Sequence, residues 1–387
     1  MNLATVNQIA KAVLYEGYML YPYRPSSVKN QQRWNFGVLC PQSYSEAQNG
    51  TEAWTMQTEC LVEADSKCDQ KFDSKPDHKP DAEPDSKFDS TPNATPTLEV
   101  RVRFLQLVAR SIGQLTKPVI ELRPNETPDF RPVDKLTIDG RVYRPWQEAV
   151  EREVILPLSN LDALVDAPLS QSFLFPASRE LEYLKDAHGL ITAVIIRDQS
   201  ELRGMIETRC DRVAAGLFKV SVRIRNRTPF ADAHHANRED ALLNSLVSTH
   251  TVLGVHDGKF VSLFAPPDHL ANLVAECKNV GAWPVLVGEE GQYDTLLSSP
   301  IILYDYPRIA PESAGDLFDG TEIDEILSLR IMTLTDEEKR EMSQSDERAR
   351  QMLERTESMP VEQFMKLHGV LRGLRPVDSS STQEETQ

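Results

Sequence analysis

The chain has 387 residues, of which 40% are hydrophobic and 26% are charged, an ordinary balance for a globular protein with material for two or three domains. Its formal net charge is −17, from 42 Lys and Arg against 59 Asp and Glu, which argues against general nucleic-acid binding because neutralising phosphates needs clustered cations. The same charge favours solubility and a basic partner.

The first predicted element is an amphipathic helix at the amino terminus. Its apolar residues are spaced to form one helical stripe, at Val6, Ile9, Ala10, Val13 and Leu14. An aromatic stretch follows, and strands are then predicted at residues 34–39 and 54–62.

A tetrapeptide repeat occupies residues 67–90 and reads KCDQ, KFDS, KPDH, KPDA, EPDS and KFDS. Pro, Asp, Lys and Ser at a period of four cannot bury a core, and the charges keep the segment hydrated. We therefore predict a disordered loop over residues 65–97 between two strands, which a fold tolerates because long loops add little closure entropy. A role as a docking tether is the alternative.

Residues 98–230 alternate between apolar and polar side chains. Val100, Val102 and Phe104 are separated by arginines, and the same period of two recurs over residues 218–225. This pattern is typical of an antiparallel sheet with one solvated face and predicts a β-rich, sandwich-like region. The predicted strands are residues 98–108, 191–197, 201–210 and 218–224.

After residue 230 the pattern becomes mixed. Strands are predicted at residues 251–256, 260–263, 283–288 and 301–304, and helices at residues 238–247 and 268–277. The predicted fold class is α+β, with a β-rich sandwich-like central region, a mixed α/β region after it and a helical carboxyl-terminal segment. The predicted domains are residues 1–230, with the amino-terminal helix and the β-rich part, residues 231–334, and residues 335–387.

The last predicted region is helical from residue 321 onward. Thr335 and Glu338 have the spacing of a capping box, in which the two side chains satisfy end-of-helix donors. This capping box is predicted to begin a charged surface helix over residues 336–357. An amphipathic helix over residues 361–371 and a disordered tail are predicted to follow.

None of the common catalytic motifs occurs in the sequence. It lacks Gly-x-Gly-x-x-Gly, a Gly-Lys-Ser/Thr loop, Gly-x-Ser-x-Gly and His-Glu-x-x-His, so we expect no catalytic residue, no metal site and no cofactor. His234 and His235 are adjacent and match no ligand spacing. An enzyme or metal-handling protein with an unrecognised site around His250, His256 and Cys277 stays open as an alternative.

The five cysteines are scattered, and none forms a Cys-x-x-Cys pair, which indicates reduced thiols in a cytosol. Cys60 and Cys210 lie in strand-like alternation and are predicted to be buried small residues rather than nucleophiles. The sequence shows no secretory signal and no apolar run long enough for a membrane span. We therefore expect a cytoplasmic protein.

Two segments are candidates for a partner-binding surface. One interleaves aromatic and basic residues, which are enriched at binding hot spots; its candidates are Tyr18, Tyr21, Tyr23, Arg24, Arg33 and Trp34. The other is acidic, with Asp316, Asp319 and Glu322, and Phe318 excludes a calcium loop there. The alternatives are aromatic packing of the first strand onto the amino-terminal helix, and a solvated acidic surface.

Four blocks of sequence carry a family resemblance: AVLYEGYMLYPYRPSSVKNQQRWNFGVL at 12–39, WQEAVERE at 146–153, LVSTH at 246–250 and SSPIILYDYPRIAPESAGDLFDGTEIDEILSLRIMTLTDEEKREM at 298–342. They resemble an uncharacterised family encoded beside actinobacterial-type nickel–iron hydrogenases. The repeat at residues 67–90 departs from that family, as does the lack of an extra carboxyl-terminal module that some relatives carry.

The resemblance implies a role in hydrogenase assembly or operation and supplies no catalytic residues. We therefore expect a non-catalytic accessory or assembly protein that binds a hydrogenase subunit or a maturation factor. A structural component of the mature hydrogenase complex is the alternative that the same resemblance leaves open.

Overall fold

The computed structural model describes residues 6–7, 9–10, 14, 36–65, 95–122, 128–308, 331–343, 347–358 and 360. The strands are β1 (Thr55–Ala64), β2 (Thr97–Val119), β3 (Phe130–Val133), β4 (Leu136–Ile138), β5 (Arg141–Tyr143), β6 (Trp146–Ile155), β7 (Ser159–Asn160), β8 (Leu169–Phe175), β9 (Ser178–Lys185), β10 (Ile191–Gln199), β11 (Leu202–Ala214), β12 (Leu217–Asn226), β13 (Val247–His256), β14 (Gly258–Phe260), β15 (Trp283–Leu286) and β16 (Thr295–Ser299). The helices are α1 (Gln42–Ala47), α2 (Leu161–Asp166), α3 (Arg238–Leu242), α4 (Ala271–Ala275), α5 (Asp336–Ser343) and α6 (Glu347–Ser358).

Most strands belong to two antiparallel sheets, which confirms the β-rich prediction for the central region. The five-stranded sheet has the order β14-β1-β12-β11-β8. The nine-stranded sheet has the order β15-β16-β13-β2-β10-β9, and β3, β6 and β7 pair with β2 as well. The repeat joins β1 to β2, one strand from each sheet, as predicted between two strands.

The longest strand, β2, is 23 residues long and is paired along both edges. Arg103 pairs with His250 of β13 and also with Glu153 of β6, so these strands lie on opposite edges of β2. Further along, Arg110 lies between β10 and β6 in the same way. One edge of β2 therefore carries β13 and then β10, and the other carries β6.

The main core lies between the two sheets. Alternate residues of β2, namely Val100, Val102 and Phe104, point into it and pack with the inward residues of the five-stranded sheet. The ring centroid of Phe104 lies 5.7 Å from that of Phe173 and 5.8 Å from that of Phe175. Burying one such side chain contributes roughly 1.5–3 kcal/mol.

The opposite face of the nine-stranded sheet is covered by the amino-terminal residues. Val6, Ile9 and Ala10 are helical and buried against β13, β15 and β16, and Leu14 is helical and buried with Leu105 and Leu107 of β2. The predicted apolar stripe is therefore confirmed at these four positions, and Val13 lies outside the described residues.

Strands on both sides of residue 230, where the sequence predicts a domain boundary, pair within the same sheets. Strand β13 pairs with β2, and β14 pairs with β1. Leu253 and Val255 of β13 lie in the same core cluster as Val100 and Val102 of β2. The two predicted regions therefore share one core where the structure describes them.

Three local predictions are wrong. The described part of the strand predicted at residues 34–39 is a turn that ends in a single bridge between Leu39 and Leu246. The helix predicted at residues 238–247 ends at Leu242. Val247 begins a strand that is buried on both faces, so its sequence lacks the period of two that marks a half-buried strand. Residues 301–304 form no strand, and the preceding segment forms β16 instead.

The capping box at Thr335 is confirmed: the Glu338 amide donates to the Thr335 hydroxyl at 3.3 Å, and the Thr335 amide donates to the Glu338 carboxylate at 2.7 Å. The single helix predicted over residues 336–357 is wrong. Lys339 Nζ lies 3.0 Å from Glu357 Oε1, which one straight helix cannot achieve over that length. The chain forms α5 and α6 instead, and the helix predicted at residues 361–371 lies outside the described residues.

A substitution at Gly204 tests the packing between β8 and β11. It pairs with Phe173, whose ring occupies the space that a Cβ at residue 204 would need. We expect Gly204→Ala to lower the free energy of unfolding by about 1–3 kcal/mol, because the ring must leave its place in the core. Urea denaturation measures the change.

The matched control is Gly204→Ala in a Phe173→Leu background. Leucine does not extend over the glycine as the ring does, so the added methyl group should lower the free energy of unfolding by less in that background. An equal cost in both backgrounds would show that the ring is not what requires glycine.

Candidate functional site

The residues predicted to bind a partner lie outside the described part of the chain. These are Tyr18, Tyr21, Tyr23, Arg24, Arg33, Trp34, Asp316, Asp319 and Glu322. The structure does describe the points at which the chain enters and leaves the aromatic–basic segment, residues 15–35. Leu14 and Val38 lie in one buried cluster, together with Tyr44 and Leu105. Both ends of the segment are therefore fixed at the same place on the nine-stranded sheet.

A bulge in β13 receives the carboxyl end of that segment. Val247 pairs with Leu105 and His250 with Arg103, so β13 has one residue more than β2 in this interval. The bulge turns two amides outward: Ser248 N–H donates to the Phe36 carbonyl at 2.9 Å, and Thr249 N–H donates to the Gly37 carbonyl at 3.0 Å. The register of residues 36–39 is thereby set by backbone hydrogen bonds.

Gly37 is required at this contact. Its φ of 55° is in the left-handed region, and a Cβ there would lie 2.7 Å from Pro300. The neighbouring carbonyl of Leu39 accepts a hydrogen bond of 2.8 Å from the buried side-chain amide of Asn226. The same amide donates to the Asn244 carbonyl at 2.9 Å. The turn at residues 36–39 is therefore held by the β13 amides, by close packing on Pro300 and by the Asn226 side chain.

Three of the four sequence blocks quoted above for a family resemblance meet here. Residues 36–39 contact residues 246–249 through backbone hydrogen bonds, and Ser298 pairs with Thr251 of β13. Residues 146–153 form most of β6, which lies across β2 from β13. We call Gly37, Leu39, Thr249, His250 and Pro300 the β13 junction.

His250 is the buried titratable group of the β13 junction. Its Nδ1 lies 3.0 Å from the Ser248 carbonyl, which can only accept, so Nδ1 carries the proton. Nε2 has no hydrogen-bond partner among the described residues. Burial lowers the pKa of His250 to about 4. The hydrogen bond to Ser248 raises the pKa, the nearby Arg103 lowers it, and nearby carboxylates raise it, but burial outweighs them. The imidazole is therefore neutral at neutral pH.

The structure does not bring His250, His256 and Cys277 together. His256 is exposed at the far end of β13, about 20 Å along the strand from His250. Cys277 packs with Leu61 and Val274 on the five-stranded sheet, and burial raises its pKa to about 11. Within the described ranges, no three His, Cys, Asp or Glu side chains are grouped to hold a metal ion.

Cys60 and Cys210 are buried in the main core, as predicted. Burial raises the pKa of the Cys60 thiol well above its usual value and that of Cys210 to about 12. A thiol with such a pKa stays protonated and is a poor nucleophile at neutral pH. In the part of the chain that the structure describes, no helix has the length and apolar character needed to cross a membrane.

The buried imidazole of His250 should make the stability of the protein depend on pH. The pKa of His250 is 6.5 in the unfolded reference and about 4 in the folded protein, so the unfolded state binds more protons between these values. The free energy of unfolding is therefore unaffected by protonation of His250 above pH 6.5, and it decreases as the pH falls from 6.5 towards 4. We expect this loss to reach about 3 kcal/mol.

The measurement is urea denaturation at several pH values across that window. His250→Gln cannot be protonated and should show a smaller loss of stability than the native chain. His256→Gln, at an exposed position, is the matched control and should keep the native slope. Equal slopes in the His250→Gln and native proteins would contradict the buried, neutral state.

No family model, curated protein or solved structure matches the chain.

Proposed function

We propose that the chain is a non-catalytic accessory or assembly protein for a nickel–iron hydrogenase, acting in the cytoplasm by binding a hydrogenase subunit or a maturation factor. The observation that carries this proposal is the meeting of three of the four resembling sequence blocks at the β13 junction, with the fourth on β6 across β2 from it. These blocks are far apart in the sequence, so only the fold can bring them into one place.

The contacts between the blocks are specific. Leu39 and Leu246 exchange two backbone hydrogen bonds of 2.8 and 3.1 Å, and Gly37 packs so closely on Pro300 that a side chain has no room. These contacts between the described parts of the blocks support treating them as one feature of the fold.

The β13 junction is suited to present the aromatic–basic segment. The chain enters that segment at Leu14 and leaves it at Phe36, and these two points are held on the same sheet. Fixing both ends of a binding segment reduces the conformational entropy that is lost when a partner orders it. Tyrosine, tryptophan and arginine are the residue types that most often dominate binding energy.

The proposal predicts the effect of reversing charge in the segment. We expect the double variant Arg24→Glu, Arg33→Glu to bind its hydrogenase partner at least about tenfold more weakly, because charged hot-spot contacts become repulsive. In the native host, active hydrogenase should fall accordingly. The measurement is hydrogenase activity in extracts, with the level of the variant checked by immunoblot.

The matched control reverses two arginines on the outer face of the five-stranded sheet. Arg203 and Arg209 have side-chain exposures of 52% and 60%, and Arg203→Glu, Arg209→Glu should leave hydrogenase activity unchanged. Normal activity with a stably folded Arg24→Glu, Arg33→Glu protein would contradict the proposed role of the segment.

A further inference from the structure

Four exposed apolar side chains stand on segments that meet at one end of the nine-stranded sheet. Phe264, Tyr293, Ile302 and Tyr304 are exposed by 63%, 42%, 71% and 72%. We call these four residues the aromatic corner. Exposed aromatic and aliphatic side chains that are gathered in one place mark interaction sites more often than isolated ones do.

Three separate segments form the aromatic corner. The Phe264 and Tyr304 rings pack edge to face, with centroids 5.2 Å apart. The Phe260 amide donates to the Tyr293 carbonyl at 2.7 Å, and the Tyr306 hydroxyl donates to the Gln292 carbonyl at 3.0 Å. The loop before β16, the segment after β14 and the segment after β16 therefore converge at this end of the sheet.

The exposed side chains stand on a fixed backbone. Asp305, next to Tyr304, accepts hydrogen bonds from the Leu286 amide at 2.8 Å and from the Ser262 hydroxyl. Leu303, between Ile302 and Tyr304, is buried in the cluster that contains Val6 and Ile9. A side chain held in this way loses little freedom on binding, which favours affinity.

The rim of the aromatic corner is acidic. Glu289 and Glu290 are exposed in the loop between β15 and β16 that also holds Tyr293. Among the described residues, Arg308 pairs with this loop: its Nη2 lies 4.0 Å from Glu289 Oε2. With both groups exposed by more than two thirds, this pair is weak and open to competition. The rim therefore attracts Lys and Arg.

The partner cannot bind here simply as an added strand on β15. Pro284 has no amide hydrogen to donate. The Leu286 amide and carbonyl are already used, by Asp305 and by the Tyr306 amide at 2.8 and 2.7 Å. Recognition must come from side chains, with an apolar group on the aromatic corner and cations on the rim.

We propose that the aromatic corner docks a basic segment of a partner protein that carries an apolar or aromatic anchor. The anchor packs against the exposed surfaces of the Phe264 and Tyr304 rings and Ile302, and the flanking Lys or Arg side chains pair with Glu289 and Glu290. The inference rests on the proposed function only in expecting this partner to be a hydrogenase subunit or a maturation factor.

The first probe is a random peptide display library selected on the full-length protein. We expect the selected peptides to contain an apolar residue flanked by Lys or Arg, and to bind Phe264→Ser, Tyr304→Ser at least about tenfold more weakly than the native chain. The control, Leu174→Ser, removes an equally apolar side chain that is 54% exposed on β8 and should bind as the native protein does. Circular dichroism checks that all variants are folded.

A second variant, Glu289→Lys, Glu290→Lys, separates the effect of charge from that of apolar contact. It should bind the same peptides more weakly than the native chain, and this difference in affinity should shrink in high salt. Selection of no peptide, or of peptides that bind both variants normally, would overturn the inference. A dimer of the native chain that dissociates in Phe264→Ser, Tyr304→Ser would overturn it too, because the corner would then be covered by a second copy.

The second probe is the set of purified hydrogenase subunits and maturation factors. If one of them binds the native chain and the corner variants equally, the docking inference fails and the proposed function stands. If none binds while the selected basic peptides bind through the corner, the proposed function fails and the docking inference stands.

Discussion

The fold depends on β2 being hydrogen-bonded along both edges. A strand of 23 residues with two free edges would expose two rows of unpaired donors and acceptors. Here β13 and β10 satisfy one edge and β6 the other. Because pairing fixes which residues face the core, the register of β2 places Phe104 between the sheets and Leu105 beneath the amino-terminal residues.

The β13 junction follows from that register. The extra residue in β13 leaves the pairing with β2 intact on both sides and frees the Ser248 and Thr249 amides for the incoming turn. The same geometry encloses His250 completely, so that its Nε2 lacks a partner among the described residues. A buried polar atom of this kind weakens the core, and the neutral form of the imidazole keeps that cost low.

The sequence predicted the elements whose signal is local. The alternation in β12 and in the first half of β2 requires only neighbouring residues, and both strands were found where expected. Strand β13 was predicted too short because its first residues are buried on both faces and show no period of two. The aromatic corner was missed because the exposure of Phe264 and Tyr304 depends on three segments that only the folded chain brings together.

The most direct test of the account is a mild affinity purification of the full chain from its native host, grown so that hydrogenase is expressed, with the bound proteins identified by mass spectrometry. The matched control is the same purification of Arg24→Glu, Arg33→Glu. The account predicts that hydrogenase subunits or maturation factors are recovered with the native chain and reduced with the variant. Recovery of the chain without any of these proteins, from cells that contain active hydrogenase, would contradict it.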